Sequence, residues 1–212
     1  MRLGVALVAV AWALLPGRIW GQRIGLFFDA NHSVCATDIV PFGPSVHVWI
    51  WAFPDPDSLI AGATLQLQLP PNLQIPANPV DAFRSNRNLV LSTGGDLIDR
   101  GLDLRFFDCV TGSAEPLLLG QFGIADVSPN PNPRHNLTLH LTGGSPDSMT
   151  VSPKPQFLIC DPNDPHNTEH FVRLLEAPPV DATLNCTTDL CYCTTAVQRS
   201  AWSGIKLLYQ GR

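Results

Sequence analysis

Leucine alternates with a polar residue without a break in residues 64–69, TLQLQL, and again in residues 136–142, NLTLHLT. A period of two puts successive side chains on opposite faces of an extended chain, so both segments predict strands buried on one side and wet on the other. Residues 102–106, LDLRF, repeat the pattern. Further strands are predicted at 24–29, 46–53, 89–92, 117–125, 156–160, 171–175 and 182–185. Turn formers separate them at 54–57 (PDPD), 94–95 (GG), 129–133 (PNPNP) and 143–144 (GG). The 20 prolines and 16 glycines would break helices repeatedly, whereas short strands tolerate such spacing. Many short strands with almost no helical periodicity predict an all-β fold, an antiparallel two-sheet β-sandwich.

The two ends depart from this pattern. The chain begins MRLGVALVAVAWALLPGRIWGQ, with Arg2, an apolar run over residues 3–15, a break at Pro16-Gly17 and the small residue Gly21 before Gln22. That is the layout of a secretory signal peptide. The run falls short of the roughly 20 apolar residues that a spanning helix needs, an uncleaved anchor being the alternative. Near the other end Trp202, Ile205, Leu208 and Tyr209 fall close to one helical face, with Ser200 placed to cap it and Gly204 weakening it. A short C-terminal helix or an apolar tail docked on the sandwich is expected. The expected organisation is a signal peptide over 1–21, one β-sandwich domain over 22–190 and a tail over 191–212.

Composition adds the compartment. All six cysteines, Cys35, Cys109, Cys160, Cys186, Cys191 and Cys193, lie beyond the apolar leader. An even number in that context predicts disulfides outside the cytosol, secreted or periplasmic. No C-x-x-C pair supports a zinc cluster instead. The spacing of two between Cys191 and Cys193 favours bonds to other cysteines; six cysteines allow about 15 pairings and the sequence does not choose among them, the expectation being Cys35 with Cys109 and Cys160 with one of the last three. Loss of Arg2 and Arg18 with the leader would leave 11 of the 13 basic side chains against 18 acidic ones, a net of about −7. Such a charge repels phosphate backbones, so nucleic acid is a poor partner, and it offers no basic patch for a membrane surface.

Several short motifs carry a resemblance. The opening IGLFFD followed by Cys35, the segment IAGATLQL from Ile60, the strand end FFDC at Cys109, and Cys193 followed by WSGIKLLY over 202–209 resemble a group of secreted bacterial proteins. Those proteins open on a GLYFD-like strand and close on a W-x-x-I/V-K-x-L-Y tail. The middle of the chain, LPPNLQI, LDLRFFD and LLLGQFGIADV, is similar to cohesin-like sandwiches. The stretch NCTTDLCY over 185–192 departs from the first pattern. The resemblance implies a cohesin-like or jelly-roll-like sandwich that serves as a non-catalytic extracellular module for structure or for binding protein or carbohydrate. It brings no catalytic residue and no cofactor to this chain.

Three stretches are candidate sites. His166, Glu169 and His170 spell H-x-x-E-H, the inverted zinc-protease signature, in which two histidines one helical turn apart hold the metal and the carboxylate activates its water. A small zinc hydrolase is therefore the alternative function. The motif sits among turn formers, DPNDPHNTEH, and a solvated loop leading into a strand fits it better. Asp161, Asn163 and Asp164 alternate oxygen donors as a calcium loop would, without the glycine and distal glutamate of an EF-hand. In VHVWIWAF, finally, Val46, Val48, Ile50 and Ala52 face one way and His47, Trp49, Trp51 and Phe53 the other. Open to solvent, the second face is an aromatic platform for sugar rings or an apolar partner; covered, it is the second side of a central buried strand. Sequons stand at Asn31, Asn136 and Asn185.

Overall fold

Within VHVWIWAF, Val48, Ile50 and Ala52 are fully buried, His47 is exposed, and Trp49, Trp51 and Phe53 are half-buried. The two-residue period is thus realised as one strand with an inner and an outer face. The computed structural model describes residues 22–187, apart from 57, 79–80, 87–89, 113–114, 131, 133, 145–151 and 169–170. The expected leader over 1–21 and tail over 191–212 lie outside the described residues.

Among the described residues fourteen strands follow one another: β1 (Arg23–Phe27), β2 (Ala36–Thr37), β3 (Val46–Phe53), β4 (Leu59–Gln68), β5 (Leu73–Gln74), β6 (Arg84–Ser85), β7 (Val90–Asp96), β8 (Gly101–Thr111), β9 (Leu117–Asp126), β10 (Leu137–Thr142), β11 (Gln156–Cys160), β12 (Phe171–Glu176), β13 (Pro179–Val180) and β14 (Ala182–Leu184). They form two sheets. The six-stranded sheet runs β13-β1-β3-β9, with β5 and β6 sharing the outer edge of β9. The eight-stranded sheet is centred on β4, flanked by β8 and β7 on one side and on the other by β11-β12 and by β10-β14-β2. The pairings between these strands are antiparallel except β1 with β13 and β2 with β14. The fold is therefore the β-sandwich that the alternation predicts, with two short parallel closures added.

One apolar cluster joins the sheets. Ile24, Leu26, Ile50, Leu119, Phe122 and Ile124 from the first sheet meet Leu65, Leu67, Leu104, Phe106, Leu139 and Phe157 from the second. Each such side chain removed from water contributes about 1.5–3 kcal/mol. The first half of β4 does not alternate because it is buried on both faces, which is why the period registers only its second half. Its outer face carries a smaller cluster of Ala61, Leu158 and Cys160, with Leu59 and Cys109 packed against it.

Around that cluster two expectations are corrected. The residues Gly94-Gly95 are part of β7, which runs on to Asp96 with a register shift between Ser92 and Gly95, an irregularity that a strand accommodates without ending. Cys109 is bonded to Cys160 and so not to Cys35. The cause is local. The β4–β8 ladder passes from Ile60↔Val110 to Gly62↔Arg105, so β8 loops out several residues opposite Ala61. The excursion lets Cys109 cross above β4 and reach β11, with 6.3 Å between the two Cα atoms.

Candidate functional site

The outer face of the six-stranded sheet is where the predicted aromatic row lies, and the structure divides that row in two. At its far end Trp51 and Phe53 pack against buried Phe27, Cys35 and Val180. The loop between β1 and β2 brings His32 onto them: its ring centroid lies 5.2 Å from that of Trp51 and 5.4 Å from that of Phe53, both edge-on. Asp29 builds this loop. Its carboxylate accepts hydrogen bonds from Ser33 Oγ at 2.7 Å, Ser33 N at 2.8 Å and Val34 N at 2.7 Å. Partial burial opposes its ionisation, but the donors at Ser33, Val34 and Asn31 outweigh that and hold the carboxyl below the usual carboxylate range. Arg23 lies over the Phe53 ring at 4.2 Å, and its burial lowers the guanidinium pKa to about 10, so it stays cationic at neutral pH. Trp51 Nε1 is buried and finds no acceptor among the described residues.

The near end is open. His47 is exposed, and its ring lies 6.0 Å from that of Trp49, tilted by 47°. Register places Trp49 opposite Gln121 on β9 and Trp51 opposite Leu118. Gln121 in turn stands opposite Arg84 on β6. Paired residues share a face, so aromatic, amide and guanidinium groups run across three strands in one line. Beyond β9 the line enters an open groove of about 740 Å³ lined by Ala82, Arg84, Ser85, Asn86, Leu118 and Gln121. Asn86 is fixed there, its Nδ2 donating to Leu118 O at 3.0 Å and its backbone N to Leu119 O at 3.0 Å. A flat ring beside amide and guanidinium donors suits a polar ligand with an apolar face. The sequence shows the aromatic half of this face. The polar half hangs on β6, which is only two residues long and leaves no periodic trace.

The other candidates separate from this site. His166 is exposed, and its Nδ1 lies 3.1 Å from Asp108 Oδ1. Glu169 and His170 lie outside the described residues, and the chain directly after them, Phe171–Glu176, is strand β12. The described residues on either side of Glu169 and His170 are a turn at 165–166 and strand β12. In the preceding loop Asp161 Oδ1 accepts from Asn163 N at 2.8 Å and Nδ2 at 3.0 Å, which is the work of a turn. Among the described residues no three His, Cys, Asp or Glu side chains converge as metal ligands, and no helix is long and apolar enough to cross a membrane.

The sequons differ in their surroundings. Asn31 is exposed in the Asp29 loop, Asn136 is exposed but bonded to Thr187, and Asn185 is buried. Cys35 and Cys186 are both disulfide-bonded.

No protein-family model matches this chain, and no curated protein does. Solved structures do resemble it. A non-cellulosomal cohesin from Archaeoglobus fulgidus is 11% identical, with a TM-score of 0.42, over 80% of this chain and 94% of that one. The third ScaB cohesin of R. flavefaciens, solved in complex with a group 1 dockerin, is 8% identical, with a TM-score of 0.46, over 79% and 97%. The seventh ScaB type I cohesin of Pseudobacteroides cellulosolvens is 10% identical, with a TM-score of 0.38, over 80% and 96%. At these values the likeness carries no argument about partner or activity, which must come from the surface itself.

Proposed function

We propose that this chain is a secreted, non-catalytic β-sandwich module that binds an extracellular partner through the outer face of its six-stranded sheet. Between a protein and a carbohydrate partner, a carbohydrate chain suits the geometry better. The observation that supports this reading is the line Trp49, Gln121, Arg84 running into an open groove. A sugar ring has an apolar face for Trp49 to cover and hydroxyls for the amide and guanidinium. A protein partner would be expected to bury a broader apolar area than this polar groove presents.

Binding to a glycan array, followed by titration of the best responder, tests the reading. Trp49→Ala is expected to weaken binding about tenfold or more, as loss of an aromatic anchor does. Gln121→Ala is expected to weaken it less, and the unfolding midpoints of both variants to stay near that of the parent. Absence of any polysaccharide response from the intact protein would remove the carbohydrate reading.

A further inference from the structure

The bonded state of Cys35 says more than its own position does. With Cys109 joined to Cys160, the remaining cysteines are Cys35, Cys186, Cys191 and Cys193. Cys35 and Cys186 are both in disulfides, and the β2–β14 ladder keeps them apart. That parallel ladder pairs Ala36 with Thr183 and Thr37 with Leu184. It is fixed by Thr183 N donating to Cys35 O at 2.8 Å and Asn185 N donating to Thr37 O at 2.9 Å. Cys35 is therefore level with Ala182, four residues short of Cys186. At about 3.3 Å per residue that is on the order of 10 Å or more, past the ~7 Å Cα separation a disulfide allows. The chain after Leu184 also turns the other way. Asn185 has φ +52°, and Thr187 N donates to Asn136 Oδ1 at 3.2 Å, on the far side of β14 from β2.

We infer that Cys35 and Cys186 are bonded to Cys191 and Cys193, one each, and that the C-terminal segment docks on the Trp51 end of the aromatic row. Cys35 is buried in the cluster that holds Phe27 and Val180 and supports Trp51 and Phe53. Whichever of Cys191 and Cys193 it takes, the other is two residues on, at most about 7 Å away. The segment from residue 194 onward thus starts beside Trp51. It carries Trp202, Ile205, Leu208 and Tyr209 near one helical face, which matches an aromatic surface, and its chain supplies acceptors for the buried Trp51 Nε1. The tail then forms one bank of the outer face, and His47 and Trp49 remain beside the groove.

Two measurements on the full mature chain test this, neither of which involves a ligand. Non-reducing peptide mapping is expected to recover the Cys35 peptide joined to the fragment bearing Cys191 and Cys193; a Cys35–Cys186 linkage overturns the inference. For docking, the full chain carrying Trp202→Phe is compared with a chain ending at residue 199, which has the same mature tryptophans and all six cysteines. Truncation is expected to shift tryptophan emission to the red and raise acrylamide quenching. Identical spectra and quenching from the two folded proteins overturn docking.

Discussion

The Asn185 carboxamide accepts from Ile39 N at 2.7 Å and donates to Arg134 O at 2.7 Å, while its backbone carbonyl accepts from Asn136 N at 3.1 Å. It is buried, and it holds the left-handed backbone region at φ +52°. Replacement by alanine leaves the buried Ile39 N and the partly buried Arg134 O without this partner and strains the backbone, so Asn185→Ala is expected to cost about 2–4 kcal/mol in urea unfolding. Asn185→Gly relieves the backbone part and is expected to cost less. Equal losses from the two would mean that backbone conformation plays no part. Asp29 gives a pH signature of the opposite sign to a raised group. Its folded pKa is depressed, so its contribution is full above the unfolded value near 4 and fades as pH falls through the folded value. Asp29→Asn is expected to be less stable than the parent at neutral pH, with the gap closing on acidification. A gap that does not change with pH would show that the loss comes from loop geometry alone.

At the scale of elements, β4, β8 and β11 show what a strand pattern carries and what it omits. Gly62 lies where β8 crosses closest: a Cβ there would sit 2.0 Å from Leu104 O. Backbone cannot yield as a flexible side chain does, so Gly62→Ala is expected to lower stability by about 3 kcal/mol or more, read from the thermal midpoint. The Cys109–Cys160 bridge closes a separation of 51 residues across the same strands. Its loss in a Cys109→Ser, Cys160→Ser variant is expected to cost about 4 kcal/mol by loop entropy, with the outer Ala61–Leu158 cluster weakened besides. Neither feature is visible in periodicity. The alternation that marks β3 and β10 comes from one face meeting the core and the other meeting water, so it names the strands that bear the fold. It fails in the first half of β4, which is buried on both faces, and in β2, β5, β6 and β13, which are two residues long. The cysteine pairing fails for the same kind of reason, since it depends on a bulge in β8 and not on sequence distance. For the candidate site this means that His47 and Trp49 were legible and their polar neighbours Arg84 and Gln121 were not, because only register brings β6 and β9 alongside β3.

For the whole molecule, the decisive connections are the parallel ones. β1 takes β13 as its edge neighbour through Ile24↔Pro179 and Gly25↔Val180, and β2 takes β14 through Ala36↔Thr183 and Thr37↔Leu184. Each sheet is thus finished by joining a strand from the start of the described chain to one from its end. Gly25 makes the first of these contacts possible, since a Cβ there would meet Val180 Cβ at 2.8 Å. β14 also covers the core with Ala182 and Leu184, both fully buried, and holds the Asn185 junction. Pairings between the two ends close large loops, so they gain little until the rest of the sandwich is assembled and are expected to form last in folding. They are nonetheless needed for the final structure, because without them β1 and β10 expose backbone edges and the apolar core opens at one side. A chain ending at residue 178 is therefore expected to lose cooperative unfolding and its near-ultraviolet dichroism, whereas one ending at residue 199 keeps both. Retention of a sharp transition by the shorter chain would show that the other twelve described strands suffice and that the two parallel closures are ornament to the core.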